Sequence, residues 1–460
     1  MRPIRRAQWT FSLGLLFLLM LSGPAEAAHS STDERKSNTQ RIDQLERKVR
    51  ILTREIQSLH ESRPPGEERA VAVPESEGGN RYDMGESANR IYRQAGRGVS
   101  WAGYGEAHVL FSNEPPTPDD PKSGDRSAFF RQSLYLGYRF NDWLLINSEL
   151  EVEYATGISL EFGYLDMLFS KRARVRTGLL LIPLGILNQQ HEPPSYFGNH
   201  RPLLATTLIP TSMRENGIGL YGTLAEQWQY YLYVTNSLNA TGLRPGTLAE
   251  ARQNGTSGDA GARTEDLAFT GRLDWVPAIG ARFGASVFTG NTGQRQRIGN
   301  GRPRVPLTIF DVHAQWHRGP WRLRAVYAEA RIGDTLKVNQ YLDANNLLGA
   351  TGAVPARMRA WYAEAGYNIW PWVRPSSIQA LYPWVRFSRV NTQARLADAV
   401  KKAGFEADPA LDRHVLTLGL HYEPHPNVAF KLERRIWHSA ASGRGRNNQR
   451  EIKLGFGYRF

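Results

Sequence analysis

The chain has 460 residues, a formal net charge of +13 and no cysteine. The lack of cysteine excludes disulfide frameworks, thiolate metal sites and cysteine nucleophiles. A mean hydropathy of −0.47 excludes a bundle of membrane helices, but spanning strands need only about 9–11 alternating residues and leave little trace in average hydropathy. For an exported chain, the positive charge favours anionic small solutes or lipopolysaccharide over nucleic acid.

Residues 1–27 are predicted to be a secretory signal peptide. Its features in order are three arginines, an apolar stretch and a small-residue cleavage site: Arg2, Arg5, Arg6, residues 11–21 and Ala25-Glu26-Ala27. The mature chain is expected to begin at Ala28 and to lie in an oxidising compartment, where a stray thiol would be a liability.

Residues 28–60 are predicted to form a periplasmic coiled coil, because apolar residues recur with alternating spacings of 3 and 4. The core positions are Ile42, Leu45, Val49, Leu52, Ile56 and Leu59. β-Branched residues at a and Leu at d favour two strands. Residues 41–46, however, resemble a short pattern associated with trimeric coiled coils, and we favour a trimer.

Residues 61–98 lose this periodicity and are rich in Pro, Gly and charge. They are interpreted as a flexible linker.

Residues 99–460 are predicted to form a sixteen-stranded antiparallel transmembrane β-barrel, which makes the fold class all-β with a short helical coiled coil in front. The predicted strands are residues 99–112, 127–140, 143–154, 158–169, 172–182, 216–223, 226–236, 266–276, 281–290, 307–317, 320–331, 357–369, 377–389, 413–422, 427–437 and 449–460. Short connections alternate with long ones, as in bacterial outer-membrane barrels. The even count places both ends on the periplasmic side.

The two faces of the strands differ in polarity. In residues 143–154, Leu144, Ile146, Leu150 and Val152 fall on one face, and Asn147, Glu149, Glu151 and Glu153 on the other. Carboxylates at alternate positions cannot face lipid, so this face is predicted to line a watery lumen. Half of the twelve tryptophans gather at predicted short turns, as an interfacial aromatic ring requires.

Some residues fit the alternation poorly. Glu329, Arg331 and Arg434 share parity with lipid-facing neighbours, so either they lie near a rim or the predicted register is wrong. Asp166 and Met167 break the alternation of the fourth strand, which suggests a β-bulge there.

The connection after the fifth strand, residues 183–215, is predicted to fold inward as a constriction loop; the alternative is a loop folded outward over the mouth. Sixteen strands enclose a lumen too wide for strand side chains to fill. The candidate loop residues in the pore are His191, Glu192, Tyr196, His200, Arg201, Arg214 and Glu215.

Charges of both signs are predicted on the pore wall. The candidates are Arg131, Arg176, Arg272, Arg282, Arg322, Arg324, Arg386, Glu149, Glu151 and Asp311. The outer loops at residues 291–306 and 438–448 contain arginines and no acid. Such a mouth would concentrate anions; contact with lipopolysaccharide is the alternative role for these arginines.

The last strand, with alternating apolar residues and a terminal Phe460, resembles the C-terminal strand of bacterial outer-membrane barrels, which acts there as an assembly signal. Residues 175–185, ending in Pro183-Leu184-Gly185, and residues 214–222 resemble the entry and exit of the constriction loop in the phosphate-selective porin (O and P type) family. This resemblance implies a homotrimer of sixteen-stranded barrels and passive uptake with anion preference. The arginine ladder and lysine cluster of its phosphate specialists have no match by position here.

The sequence contains no nucleophile elbow and no metal-binding motif, so neither catalytic residues nor a metal or cofactor is expected. We expect a porin in the outer membrane of a Gram-negative bacterium that passes small anionic or polar solutes. The alternative is a plugged barrel, structural or receptor-like, that ties the outer membrane to the periplasm through the coiled coil.

Overall fold

The structure is a computed structural model that describes residues 84–93, 98–112, 124–153, 157–255, 261–348, 352–375, 377–441 and 450–460. All of them belong to the compact unit Arg69–Phe460. The predicted signal peptide and coiled coil lie outside the described residues. No helix within the described ranges is long and apolar enough to cross a bilayer.

Sixteen strands account for most of the described chain. They are β1 (Gly98–Ser112), β2 (Arg126–Arg139), β3 (Leu144–Glu153), β4 (Gly157–Met167), β5 (Arg174–Leu181), β6 (Arg214–Ala225), β7 (Trp228–Asn236), β8 (Leu267–Ala278), β9 (Ala281–Asn291), β10 (Pro306–Arg318), β11 (Trp321–Ile332), β12 (Arg357–Tyr367), β13 (Ala380–Arg395), β14 (Asp412–His425), β15 (Val428–Ser439) and β16 (Arg450–Arg459).

Each strand pairs antiparallel with the next, and β1 pairs with β16, so the sheet closes into a barrel. The predicted fold class of the barrel is confirmed. Short turns at one end alternate with long loops at the other, and tight turns need special backbone angles. Gly280, between β8 and β9, has a φ of +79°, and a Cβ at this position would lie 2.3 Å from the His317 carbonyl oxygen. Only glycine fits there.

Within the described residues, four α-helices accompany the barrel: α1 (Glu86–Arg93), α2 (Leu204–Thr207), α3 (Thr335–Ala344) and α4 (Asp398–Lys402). α1 packs against β1 and β2, with Ile91 and Tyr92 buried. The prediction of a flexible linker over residues 61–98 therefore differs from the structure at 84–93. The physical reason is that the few apolar residues of this segment find a buried surface only on the barrel wall.

The outward face is apolar along most of its height. Exposed apolar residues of this face include Leu232, Phe269, Val312 and Leu418, which are 43–50% exposed, and Ile146, which is 36% exposed. Tryptophans and other aromatics form a ring at the short-turn end, where Trp143 stacks on Phe169 and Trp228 on Trp275, and Trp321 meets Tyr367 edge to face. Such a belt with an aromatic border is typical of a membrane barrel.

The strand registers resolve the residues that fitted poorly. The β-bulge of β4 lies at Glu161, because Glu149 pairs with Phe162 and Leu150 with Leu160. The predicted bulge at Asp166 is therefore wrong by five residues; Asp166 faces inward and is buried. Glu329, Arg331 and Arg434 do face outward, so the predicted register is right.

Candidate functional site

The connection between β5 and β6 lies inside the barrel and reaches from one wall to the other. Its residues 191–200, here called the arm, contact β1–β3, the adjoining strands β13–β16 and, across the barrel, β11. The polar wall residues that bond to the arm are Glu106, Arg131, Glu149, Arg324, Arg386, His421, Lys431, Glu433 and Lys453.

On the side of β1–β3, three polar contacts hold the arm. The Arg131 Nη2 donates to the His191 carbonyl oxygen at 3.3 Å, and the His191 Nε2 lies 3.3 Å from the Glu149 carboxylate. The Tyr196 hydroxyl donates to Glu106 at 3.3 Å. Burial raises the pKa of Tyr196 to about 12, so this hydroxyl remains protonated and able to donate.

Along β13–β15, the arm is held mainly through its backbone carbonyl groups. The Lys431 Nζ donates to the carbonyl oxygens of Pro193 at 2.5 Å and Gly198 at 2.9 Å. The Phe197 ring stacks on Trp384 with the ring centres 5.6 Å apart, and its carbonyl oxygen lies 2.9 Å from the His421 Nδ1. Backbone groups bonded to fixed side chains leave the arm little freedom to move.

Glycines on the inward face of the strands make room for the arm. A Cβ at Gly457 would lie 2.5 Å from the Pro193 side chain, and one at Gly366 would lie 2.4 Å from the Phe197 ring. These approaches are too close for any side chain. The inward parity of such glycines is a sequence signal for a segment packed against the wall.

A buried charge cluster fixes the start of the loop to β8–β10. The Gly185 amide donates to Asp311 at 2.9 Å, and Arg272 donates to the Gly185 carbonyl oxygen at 2.8 Å. His313 lies between two carboxylates, 2.7 Å from Asp311 and 2.9 Å from Asp274. In this network the inward charged residues of three neighbouring strands, β8, β9 and β10, are paired with one another.

The outer half of the lumen along β8–β15 is filled by an apolar core rather than by water. Inward residues such as Phe288 and Val326 pack there with loop residues such as Leu204, Leu243 and Val338, all at most 3% exposed. The sequence predicts an open, watery lumen; the structure differs because four further outer connections fold inward. Their apolar residues have no regular period that would predict this.

On the other side of the outer half, along β15, β16 and β1–β3, the inward side chains are polar and mostly buried; this polar region is here called the corridor. Its inward residues are Glu106, His108, Arg131, Glu151, Glu153, Arg435, Glu451 and Lys453. The apolar core contains no residue of β1–β4 or β16. The corridor ends at Tyr196, whose ring centre lies 4.0 Å from the Lys431 Nζ.

Below the arm, a cavity of about 400 Å³ lies at the short-turn end; it is here called the vestibule. Its charged lining residues are Arg93, Arg282, Arg322, Arg324, Arg459, Glu86, Glu364 and Glu423. The acids pair with lining arginines, as in Arg322–Glu423 at 2.5 Å. Tyr196 also lines the vestibule, so a single side-chain layer separates it from the corridor.

The predicted site residues fall into different places. Arg131, Glu149, Glu151, His191, Tyr196, His200 and Arg386 meet at the arm, while Arg322 and Arg324 line the vestibule. Arg272, Arg282 and Asp311 belong to the charge cluster at the start of the loop. Sequence reasoning missed α1, Phe197 and the inward glycines.

Three predicted residues, Arg176, Arg214 and Glu215, have structural partners away from the arm. Arg176 pairs with Asp166 at 3.2 Å, and its guanidinium lies 3.9 Å from the centre of the Tyr221 ring. Arg214 pairs with Glu161 at 3.2 Å.

Glu215 and Arg201 hold loop backbone, and the Arg201 side chain also interacts with Tyr196 of the arm. Glu215 accepts from the Gln253 amide at 2.6 Å, and Arg201 donates to the Thr211 carbonyl oxygen at 3.1 Å.

Glu192 joins the arm to α1. Its carboxylate accepts from the backbone amides of Ser87 at 2.8 Å and Ala88 at 3.2 Å, in the first turn of the helix. A carboxylate at this position satisfies amides that the helix leaves unpaired. Burial raises the pKa of Glu192 above its ordinary value.

Glu192→Gln is expected to increase stability relative to the wild type as the pH rises. An acid whose folded-state pKa is raised binds more protons when folded, so the wild type loses stability as the pH rises through the window above about 4.3. Gln keeps the acceptor oxygen and removes the charge. The measurement is the free energy of unfolding of both proteins in urea from pH 4 to 8. A difference in unfolding free energy that stays constant across this range would contradict the prediction. Glu192→Ala, which loses both amide contacts, should lower the free energy of unfolding by about 1 kcal/mol.

Three kinds of comparison place the chain among known proteins. No protein-family model matches it. It is 33% identical over 366 residues to an uncharacterized protein of Aquifex aeolicus (strain VF5), covering 76% of this chain and 78% of that one.

Among solved structures, OmpF of Salmonella typhi, in complex with daunomycin, is similar with a TM-score of 0.50 and 12% identity, over 79% of this chain and 98% of that one. The anion-selective porin of Comamonas acidovorans gives a TM-score of 0.47 and 13% identity, over 79% of this chain and 100% of that one. At these identities the likeness concerns the fold alone.

Proposed function

The chain belongs to the same family as the Aquifex aeolicus protein, and from this premise and the construction of the barrel we propose that it is a porin-type channel in the outer membrane of a Gram-negative bacterium. It passes small hydrophilic solutes by diffusion. The apolar outward belt and the aromatic ring at the short turns support the membrane location.

One observation carries the proposal of a channel. The polar corridor and the vestibule approach the arm from opposite ends and are separated there by the layer that contains Tyr196. Charged side chains line both spaces, which a purely structural barrel does not require. We infer that movement of the Tyr196, Glu106 and Lys431 side chains opens a narrow passage through this layer.

A preference for anions is part of the proposal. The exposed outer-loop residues Arg295, Arg297, Arg302 and Arg304 favour anions at the mouth. The vestibule lining has five arginines and three glutamates. Most of these charges are paired, so a modest preference is expected rather than strict selection.

The assembly proposed is a homotrimer. β1–β9 present an outward face without charged strand residues, which suits contact between copies. The coiled coil at residues 28–60 would join three chains in the periplasm, after removal of the signal peptide 1–27. Outer-membrane lipid and lipopolysaccharide surround the trimer in this proposal.

A plugged barrel is the second candidate, and the apolar core favours it. Leu204, Leu243, Val338 and their neighbours close the lumen along β8–β15. If thermal motion does not open the layer at Tyr196, the barrel serves as an anchor or receptor instead.

Planar-bilayer recording of the purified protein separates the two candidates. We expect small conductance steps in multiples of three, and a reversal potential in a salt gradient that indicates a modest anion preference. Tyr196→Ala should raise the single-channel conductance about twofold, because it thins the layer between corridor and vestibule. Tyr138→Ala, on the outward face and 42% exposed, is the matched control and should change nothing. A folded barrel that stays silent would reject the channel and support the plug.

A further inference from the structure

Three arginines converge on one carboxylate on the outside of the barrel. Glu329 accepts from the Nε atoms of Arg331 at 2.7 Å and Arg359 at 2.9 Å, and the Arg357 Nε lies 3.5 Å away. The Tyr327 hydroxyl also donates to Glu329, at 3.2 Å. These residues are here called the outer-wall arginine cluster.

The cluster is exposed and carries excess positive charge. The side chains of Arg331, Arg357 and Arg359 are 60%, 30% and 49% exposed, and Glu329 beneath them is 3% exposed. A guanidinium has five N–H donors, and the contacts to Glu329 use the Nε of each arginine. The carboxylate thus holds three cationic groups together while balancing one of their charges.

Its height on the barrel places the cluster at the outer edge of the apolar belt. Arg331 follows Trp321, in the aromatic ring, by ten residues of β11. At about 3.3 Å per residue and a strand tilt of roughly 40°, this spacing is about 25 Å along the membrane normal, the height of a barrel's apolar band. Phe310, whose ring centre lies 5.6 Å from the Arg331 guanidinium, marks the apolar side of this boundary.

Outward charge is confined to one side of the barrel. In the described strands, apart from Arg318 at a short turn and the buried Arg214, the arginines at outward register positions are Arg331, Arg357, Arg359, Arg389, Arg395, Arg434 and Arg450, all on β11–β16. The outward acids of those strands are Glu329 and Asp412, and Asp412 pairs with Arg389 at 3.4 Å. A second copy of the chain therefore offers these arginines no complementary acidic strand face.

We propose that the outer-wall arginine cluster binds the phosphate groups of a phosphorylated glycolipid in the outer leaflet. The proposal rests on the outer-membrane location proposed above. Arginine matches phosphate with paired N–H donors, and a partner held beside the apolar belt keeps its acyl chains in the hydrocarbon. Water-exposed loops do not place arginines next to hydrocarbon in this way.

The test compares glycolipid retention by two triple variants of the full mature protein. One is Arg331→Gln/Arg357→Gln/Arg359→Gln; the control, Arg295→Gln/Arg297→Gln/Arg302→Gln, removes the same charge from an exposed outer loop. The probe is deep-rough lipopolysaccharide with both lipid A phosphates, and native mass spectrometry gives the bound fraction. We expect the wall variant to bind roughly tenfold more weakly or worse, and the loop variant to bind as the wild type does.

Further binding measurements distinguish glycolipid phosphate from other anions. Dephosphorylated lipopolysaccharide should not bind, phosphatidylglycerol should bind more weakly, and inorganic phosphate should compete poorly. Equal retention by the wall variant and the wild type, or equal binding of phosphatidylglycerol, would overturn the proposal. If the wall variant fails to fold, the single change Arg331→Gln, with about threefold weaker binding expected, provides the test. Conductance recorded in parallel keeps the outcomes apart, since a silent barrel that still binds glycolipid contradicts only the channel.

Discussion

Replacing residues 193–200 by eight alternating Gly and Ser residues is expected to raise the single-channel conductance several-fold. The replacement removes Tyr196, Phe197 and the other arm side chains that contact the walls, apart from His191 and Glu192. Since conductance depends on the narrowest cross-section, opening this layer would join the polar corridor to the vestibule. The strands and the apolar core remain unchanged, so the barrel should still fold.

The matched control replaces residues 344–347 of an outer loop by alternating Gly and Ser residues. These four residues are exposed and uncharged and belong neither to the arm nor to the apolar core, so the conductance should equal that of the wild type. Unchanged conductance after replacement of the arm would show that another part of the interior closes the barrel. An equal rise in the control would mean that loop changes act on the barrel in general.

Asp274→Ala is expected to destabilise the barrel by about 3–5 kcal/mol, the cost of removing one partner from a buried charge network. Asp274 is 0% exposed and lies 2.9 Å from Arg272, 3.1 Å from Arg282 and 2.9 Å from His313. Without the carboxylate, two buried guanidinium groups lose their nearest counter-charge. The measurement is urea unfolding of the protein folded into lipid vesicles.

Two further variants serve as controls for the effect of Asp274→Ala on stability. Asp343→Ala, at an exposed position of α3, should change stability by no more than about 0.5 kcal/mol. Adding Arg272→Met and Arg282→Leu to Asp274→Ala should recover part of the loss, because no unpaired charge then remains buried. A loss below about 1 kcal/mol in Asp274→Ala would mean that water reaches the network.

The strands could be predicted from the sequence because membrane and lumen impose opposite requirements on alternate residues. In β3, Leu144 and Ile146 alternate with Asn147 and Glu149, and the observed registers follow that pattern. The short turns were equally clear, since each interrupts the alternation for only a few residues. The extra residue at Glu161 was misplaced because a bulge changes parity without a distinctive residue type.

The interior of the barrel was less predictable because it depends on contacts between distant segments. Pro193 meets Gly457, and Glu192 meets Ser87, only after the barrel has closed. The wall charges near the arm were identified by parity alone. The partners of Arg176, Arg214 and Glu215 were not identified. A long side chain can reach several inward residues, and the one it contacts depends on the strand register and on the path of the loop.

The arm has a mechanical consequence for the whole barrel. An empty cylinder of sixteen strands can flatten into an ellipse when lipids press on it from the side, because small rotations between many neighbouring strands add up. Here Glu149 on β3 and Arg131 on β2 are bonded to the same short segment as Arg324 on β11, across the barrel. Flattening along that diameter would compress the segment, and widening would stretch its bonds, so the cross-section is expected to stay round in thin and thick bilayers alike.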